Sequence, residues 1–376
     1  MRGVELAVVG GGVIGAFTAY FAAERGFRAT LLEQGYLGSG ASGKCAGIHT
    51  TQLVLPIDIE LSKRSQEIYR RVAPESVVRT GFLSIEPDWM SRYSTELLKR
   101  AGIRYRVLSN REVMDWIDWV RIRDYEVGVY TPDDAVIDVS GLFPSLKERL
   151  EGLGVKIYEI TEITGLDPER RILYLRGGEN LPFDYAVFAA GAWNRGLLGR
   201  SGVWNVPVLV YACQVLSFNV ESEVQDVPIF IEESHVYMRR FGRRNLLVGN
   251  GYAIKLTSPS DCPPHPSREF INELGQKLYE RVSRPENYRL SGGWTGVCSS
   301  SPDGRPIVGE VPGHPCLYII DGLDGYGLMR GPAIGQDLVE LISGRETPES
   351  IRAFNPARFI NYSGEPETVI ELHSWV

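Results

Sequence analysis

The chain has 376 residues, 43% hydrophobic and 23% charged, with a formal net charge of −7. Such a length exceeds one ordinary core and implies two intertwined domains of a globular protein. The acidic balance excludes a nucleic-acid surface, since no basic cluster is long enough to overturn it.

ELAVVG reads as a short buried strand, GGVIGAFTAYFAAERG as a turn into a helix ending at Gly26, and FRATLLEQ as a second strand. Residues 6–23 carry no charge and so mimic a membrane span. Three consecutive glycines interrupt that run, and Glu5 and Glu24-Arg25 bound it, so strand–turn–helix is the better reading. Gly10, Gly12 and Gly15 form GxGxxG at this junction, with Val13 and Ile14 inside the motif. The first glycine permits the tight turn, the second lets a pyrophosphate approach the backbone, and the third lets helix and strand pack closely. The helix N-terminus adds partial positive charge. Glu33, followed by Gln34, closes the second strand, where its carboxylate suits ribose hydroxyls and repels a 2′-phosphate. On its own this unit fits a nicotinamide or a flavin dinucleotide.

GYLGSGASGKCAGIHT must be an extended loop. A helix over residues 58–72 and the strand GFLSIEP follow, then a helix, a strand and another helix up to REVMDWI. The α/β rhythm returns with a helix over 140–153, a strand, and a hairpin turned by LDPERR. DYAVFAAGAWN is a buried strand entering a glycine-containing turn. Residues 206–251 are mostly strand-like and imply a separate antiparallel sheet, with Arg239-Arg240 and Arg243-Arg244 around a solvated hairpin turn. A helix over 267–282 leads to SGGWTGVCSSSPDGRPIVGEV, and CLYIIDGLDGYGLMRGPAIGQDLVELISG closes the chain's α/β part. The fold class is therefore α/β: a discontinuous Rossmann-like nucleotide domain (1–80, 138–205 and 292–376) and an α+β substrate domain on an antiparallel sheet (81–137 and 206–291).

Five scattered cysteines show no CxxC and no metal-like spacing with the five histidines, so no metal site is expected. Their odd number suits a reducing compartment, and the expected location is cytoplasmic, with peripheral membrane contact as the alternative. The tail NYSGEPETVIELHSWV ends in apolar Trp375-Val376 and suits either association, as a homo- or hetero-oligomer, or packing on its own chain.

Four segments in this order, VVGGGVIGA…LLEQ, GSGASGKCAG, VFAAGAWN, and SPDGRPIVG with GLDGYGLMRGP, resemble the D-amino-acid oxidase-like FAD oxidoreductases, which include glycine oxidase, sarcosine oxidases and dehydrogenases, and archaeal proline dehydrogenases. The resemblance spans nearly the whole chain and implies FAD. It places Ser42, Lys44, Cys45, Ala46 and Gly47 on the pyrophosphate and flavin ring, and Ile163 against adenine. Ala190, Gly191 and Trp193 fall at the ribose and phosphate turn. Gly325, Tyr326, Gly327, Leu328 and Met329 open a helix aimed at the flavin pyrimidine. Relatives that attach the flavin covalently use a cysteine or a histidine where this chain shows Gly296 and Lys44, so non-covalent FAD is expected, with Cys298 the nearest competitor.

The same resemblance implies hydride transfer from the α-carbon of an amine or amino acid to flavin N5, giving an imine. The protein then has to supply orientation and a carboxylate clamp, for which arginine is the natural choice. Glycine-oxidase-like relatives carry that arginine in WAGLRP, whereas WTGVCSS puts Cys298 in its place and turns the expectation towards a secondary amine such as proline or sarcosine. Arg330 and Arg239 are the replacement clamps, Tyr237 shares a strand face with Arg239, and His49 and Trp294 are candidate cavity walls. Where sarcosine oxidases carry an oxygen-activating lysine, the stretch NLLVGNGY offers Leu247 and no lysine follows it before Lys255, which favours a dehydrogenase passing electrons to a quinone, a dye or a partner flavoprotein over one using oxygen. A 2-hydroxy-acid dehydrogenase, or an FAD-binding subunit of a hetero-oligomeric amine dehydrogenase complex, are the competing readings.

Overall fold

The computed structural model describes residues 3–221 and 223–364. Its first sheet has six strands in the order Ile307–Glu310, Leu317–Asp321, Tyr185–Phe188, Glu5–Val9, Arg28–Leu32 and Lys156–Tyr158. Each neighbouring pair is parallel except the first, which is antiparallel. Strand alternation explains the apolar runs: Leu6, Val8 and Leu31 pack on one face, while Ala7, Val9, Leu32 and Phe188 pack on the other. Helices Val13–Glu24, Val139–Gly152 and Gly327–Ile342 contribute to the first of these cores. A three-stranded antiparallel sheet and helix Trp193–Arg200 contribute to the second. This is the Rossmann-like half of a mixed α/β fold.

The second sheet has nine strands. It runs Ala253–Leu256, Leu209–Val220, Asn245–Gly249, Val236–Phe241, Ile229–Ile231, Phe82–Pro87, Glu126–Thr131, Arg106–Leu108, and Tyr288–Ser300 also pairs with Leu209–Val220. Its pairs are antiparallel apart from Ile229–Ile231 on Phe82–Pro87. On one face Ile85, Ile229, Ile231, Met238 and Val248 pack with Phe270 and Leu274 of helix Arg268–Arg281. The opposite face carries Phe82, Phe230, Tyr237 and Cys213.

The antiparallel sheet joins strands between residues 82 and 131 to those of 206–251: GFLSIEP and EVGVYT pair with each other, and Phe82–Pro87 pairs with Ile229–Ile231. Strand Tyr288–Ser300 also runs unbroken across residue 292, so no structural break falls there. Among the described residues no helix is long and apolar enough to cross a membrane. The end of the tail, including Trp375 and Val376, lies outside the described residues.

Candidate active site

A cavity of about 1380 Å³ is lined from both sheets. That exceeds the space a drug-sized ligand needs and suits a dinucleotide with a small substrate beside it.

The glycine-rich turn shapes one part of it. Gly10 has φ 110°, and a Cβ there would lie 2.5 Å from the Ala189 carbonyl oxygen. A Cβ on Gly15 would fall 1.8 Å from the Gly10 oxygen, so helix and turn meet only without one. Helix Val13–Glu24 starts at Gly12 with no side-chain cap and no acidic residue in its first turn. Gly12, Val13 and Ile14 line the cavity, and Ser42 Oγ accepts from Val13 N at 3.0 Å. Ser42 takes one N–H of this start, and with no acidic residue in the first turn the remaining groups fit an anionic phosphate. Glu33 lines the cavity beside Gln34, and its carboxylate accepts from Gly11 N at 2.7 Å and Gly35 N at 2.8 Å, shaping the turn as well as facing the site.

Ser42, Lys44, Cys45, Ala46 and Gly47 line the next stretch of wall. Trp294 Nε1 donates to the Lys44 carbonyl at 2.7 Å and itself lines the cavity. Burial pushes the Cys45 thiol to about 11, so it stays protonated. Gly47 takes φ 71°, and a Cβ there would meet the Ile137 oxygen at 2.5 Å.

Ile163, Ala190, Gly191 and Trp193 also reach the cavity. Asn194, which the sequence reading passed over, braces this turn: its Oδ1 accepts from Ala190 N, and its Nδ2 donates to Asp321 at 3.2 Å. Asp321 also accepts from the Ser299 hydroxyl and from Gly322 N, and burial holds its carboxyl up at about 6. Beyond it come Asp324 at φ 52° and Gly325 at φ 81°, then helix Gly327–Ile342, capped by no side chain and with no acid in its first turn. Gly325 to Met329 all line the cavity.

On the substrate side, Tyr237 lines the cavity, and its hydroxyl occupies the space a Cβ on Gly249 would take, 2.2 Å away. Burial raises its phenol well above the ordinary range. Arg239 shares the Tyr237 face, as alternation requires, yet it does not line the cavity. Its Nε donates to the Ala46 carbonyl and its Nη1 to the Arg240 carbonyl at 2.8 Å, with the guanidinium 5.4 Å from the Phe241 ring. Its guanidinium is therefore committed to the backbone of the Gly/Ser-rich loop and does not reach the cavity wall.

Arg330 is a second correction. It is 4% exposed, absent from the cavity wall, and committed to Asp58 Oδ1 at 2.6 Å and the Leu323 carbonyl at 2.9 Å. His49 is a third: fully buried, it packs edge-on against Tyr69 at 5.7 Å and lies outside the cavity. Burial drives its pKa down to about 3, with Arg70 adding to the effect.

Leu247 is fully buried beside Arg239, but Lys255, opposite Tyr211 on the edge strand, does line the cavity. Cys298 lines it too, opposite Tyr211, and the neighbouring Cys213 thiol and burial push its own thiol well up. The alternation in VLVYACQVLSF was the available signal for Tyr211 and Cys213. Nothing local marked Lys255 or Asp321, whose roles depend on distant partners.

The sequence model of the family described as "DAO: FAD dependent oxidoreductase" matches residues 5–341. The glycine oxidase of Geobacillus kaustophilus is 23% identical, with 96% of this chain and 98% of that protein covered. The mitochondrial sarcosine dehydrogenase of Homo sapiens is 24% identical over 94% of this chain and 41% of its own length. Among solved structures, the L-proline dehydrogenase from P. horikoshii superposes with a TM-score of 0.86 at 22% identity, covering 95% of this chain and 98% of that one.

Proposed function

Since the chain belongs to the DAO family of FAD-dependent oxidoreductases, we propose that it oxidises a proline- or sarcosine-like secondary amine or amino acid, with FAD held non-covalently. One observation carries this reading. A single cavity joins the three glycine-rich segments and their two uncapped helix starts to an aromatic wall of Phe82, Phe230, Tyr237 and Tyr252. When bound there, FAD supplies the two-electron acceptor for the substrate's α-C–H bond, leaving an imine that water hydrolyses.

The chain's own task is orientation. Its expected arginine clamps are engaged elsewhere, so Tyr237 and Lys255 are the candidate carboxylate contacts on the wall. A hydroxyl and a compact ammonium define a carboxylate position less rigidly than a bidentate arginine would, which suits a bulky ring amine. The aromatic side chains exclude water from the reacting carbon.

Leu247 supports a dehydrogenase that uses a quinone, a dye or a partner flavoprotein, whereas Lys255 on the cavity wall favours the second reading, an oxidase. The decisive experiment is anaerobic addition of proline, sarcosine, glycine and 2-hydroxy acids to the purified protein. Bleaching of the flavin band by an amine supports the proposal, and bleaching by hydroxy acids alone replaces it. Readmitting air then separates oxidase from dehydrogenase. Acid precipitation should leave the flavin in the supernatant, and yellow protein in the pellet would show a covalent bond.

A further inference from the structure

Arg330 is the fourth residue of helix Gly327–Ile342, and its side chain folds back across the loop that opens that helix. One Nη takes the Leu323 carbonyl, the other takes Asp58, and the guanidinium lies 4.9 Å from the centre of the Tyr326 ring. Asp58 stands in the first turn of helix Pro56–Val72, where the helix start favours a carboxylate. The same helix grips the final one at three further points: Tyr69 Oη donates to the Leu328 carbonyl at 2.9 Å, Ser65 Oγ accepts from Ala333 N at 3.1 Å, and Arg64 pairs with Asp337. The loop between Leu323 and Tyr326 holds Asp324 in left-handed backbone at φ 52°, which costs a non-glycine residue energy, and Gly325 at 81°, which glycine takes freely.

We propose that Arg330, with Asp58 behind it, is the positioning residue of this loop, fixing the open start of the final helix at the cofactor without touching substrate. The inference rests on FAD occupying the cavity. Residues Gly325 to Met329 line that cavity, and an uncapped helix start favours the added negative charge of reduced over oxidised flavin. Loosening the loop therefore weakens the grip on reduced flavin more than on oxidised flavin.

The test uses the FAD-loaded full chain and reads the flavin midpoint potential and FAD release. Arg330→Met is expected to weaken binding of reduced relative to oxidised flavin about tenfold, a fall of about 30 mV for a two-electron couple. Arg330→Lys keeps a charge for Asp58 but loses the planar two-pronged contact, and is expected to shift in the same direction by less. Because a stranded Asp58 destabilises the fold, the double variant Arg330→Met with Asp58→Leu removes both charges together. If it regains stability while the potential stays low, positioning through the Leu323 carbonyl is supported. If the double variant and Arg330→Lys both keep the original potential and FAD release rate, Arg330 is only a core ion pair and the proposal fails. A wild-type protein that binds no flavin would instead overturn the functional reading beneath it.

Discussion

The Tyr211 hydroxyl donates to Asp324 Oδ1 at 2.6 Å, joining the long strand Leu209–Val220 to the loop that opens the final helix. One side chain thus couples the antiparallel sheet on one side of the cavity to the glycine-rich loop on another. Burial keeps the Tyr211 phenol well above its ordinary range, so it remains a donor. Tyr211→Phe is expected to lower stability by about 1.5–3 kcal/mol, the usual worth of a hydrogen bond to a charged group. It should also perturb the bound flavin's visible spectrum, and an unchanged spectrum together with an unchanged melting temperature would rule the coupling out.

Gly15→Ala tests the glycine turn. Its Cβ would sit 1.8 Å from the Gly10 carbonyl oxygen, a backbone atom that cannot move aside cheaply. The variant is expected to purify without flavin or not to fold, and flavin content measured by absorbance decides between this and a tolerated change.

The buried pair of Arg281 and Glu126, both under 3% exposed, ties helix Arg268–Arg281 to strand Glu126–Thr131 at 2.7 and 2.8 Å. Glu126→Ala leaves the buried guanidinium with only Glu233 Oε2, 3.9 Å away, and is expected to cost about 3 kcal/mol or somewhat less. Replacing both partners with apolar residues of similar size should recover most of that loss, as chemical denaturation of the variants would show.

His49 supplies a pH prediction. Its folded-state pKa, about 3, lies below the unfolded value of about 6.5, so between those values the unfolded chain binds the extra proton. Stability from this group is complete above about pH 6.5 and falls as pH drops towards 3, by on the order of 4 kcal/mol. Asp321 acts oppositely: its folded pKa of about 6 is raised, so its contribution is present near pH 4 and is lost as pH rises through 6. Other carboxyl groups raised by burial, Glu232 and Asp134 among them, also shape the wild-type curve, so the difference between wild type and His49→Phe isolates the acid-side loss from His49. Melting curves of both proteins from pH 3 to 7 with parallel slopes would refute this.

Much of the Rossmann-like half was legible because its signals are local. A glycine triplet between an apolar strand and a helix, and an acid at the end of the next strand, need no distant partner to be recognised. Of the cofactor positions expected from sequence, only Gly15 does not line the cavity, and it sits just beneath as the contact on which the turn packs. The arginines were misplaced for a different physical reason. Strand alternation correctly put Arg239 on the Tyr237 face, but the Ala46 carbonyl, which takes its Nε, is 193 residues away in sequence. Arg330 likewise finds Asp58, 272 residues away, before it can reach a substrate. A long cationic side chain goes to whichever buried acceptor the tertiary fold brings near, and periodicity does not disclose that acceptor. His49 differs: its ring is buried by edge-on packing against Tyr69, a core contact that local periodicity does not reveal.

The first sheet also dictates when the protein can be finished. Strand Glu5–Val9 is synthesised well before its neighbour on one side, Tyr185–Phe188, and the next strand out, Leu317–Asp321, follows later still. The cavity needs Gly10 and Met329 together. A nascent chain that stops short of Leu317 therefore carries an unpaired apolar edge, and one that stops short of Met329 an incomplete pocket. Cofactor loading in this sense reports that the chain has been made past Met329, and chains released earlier have no ligand to rescue them from aggregation or proteolysis.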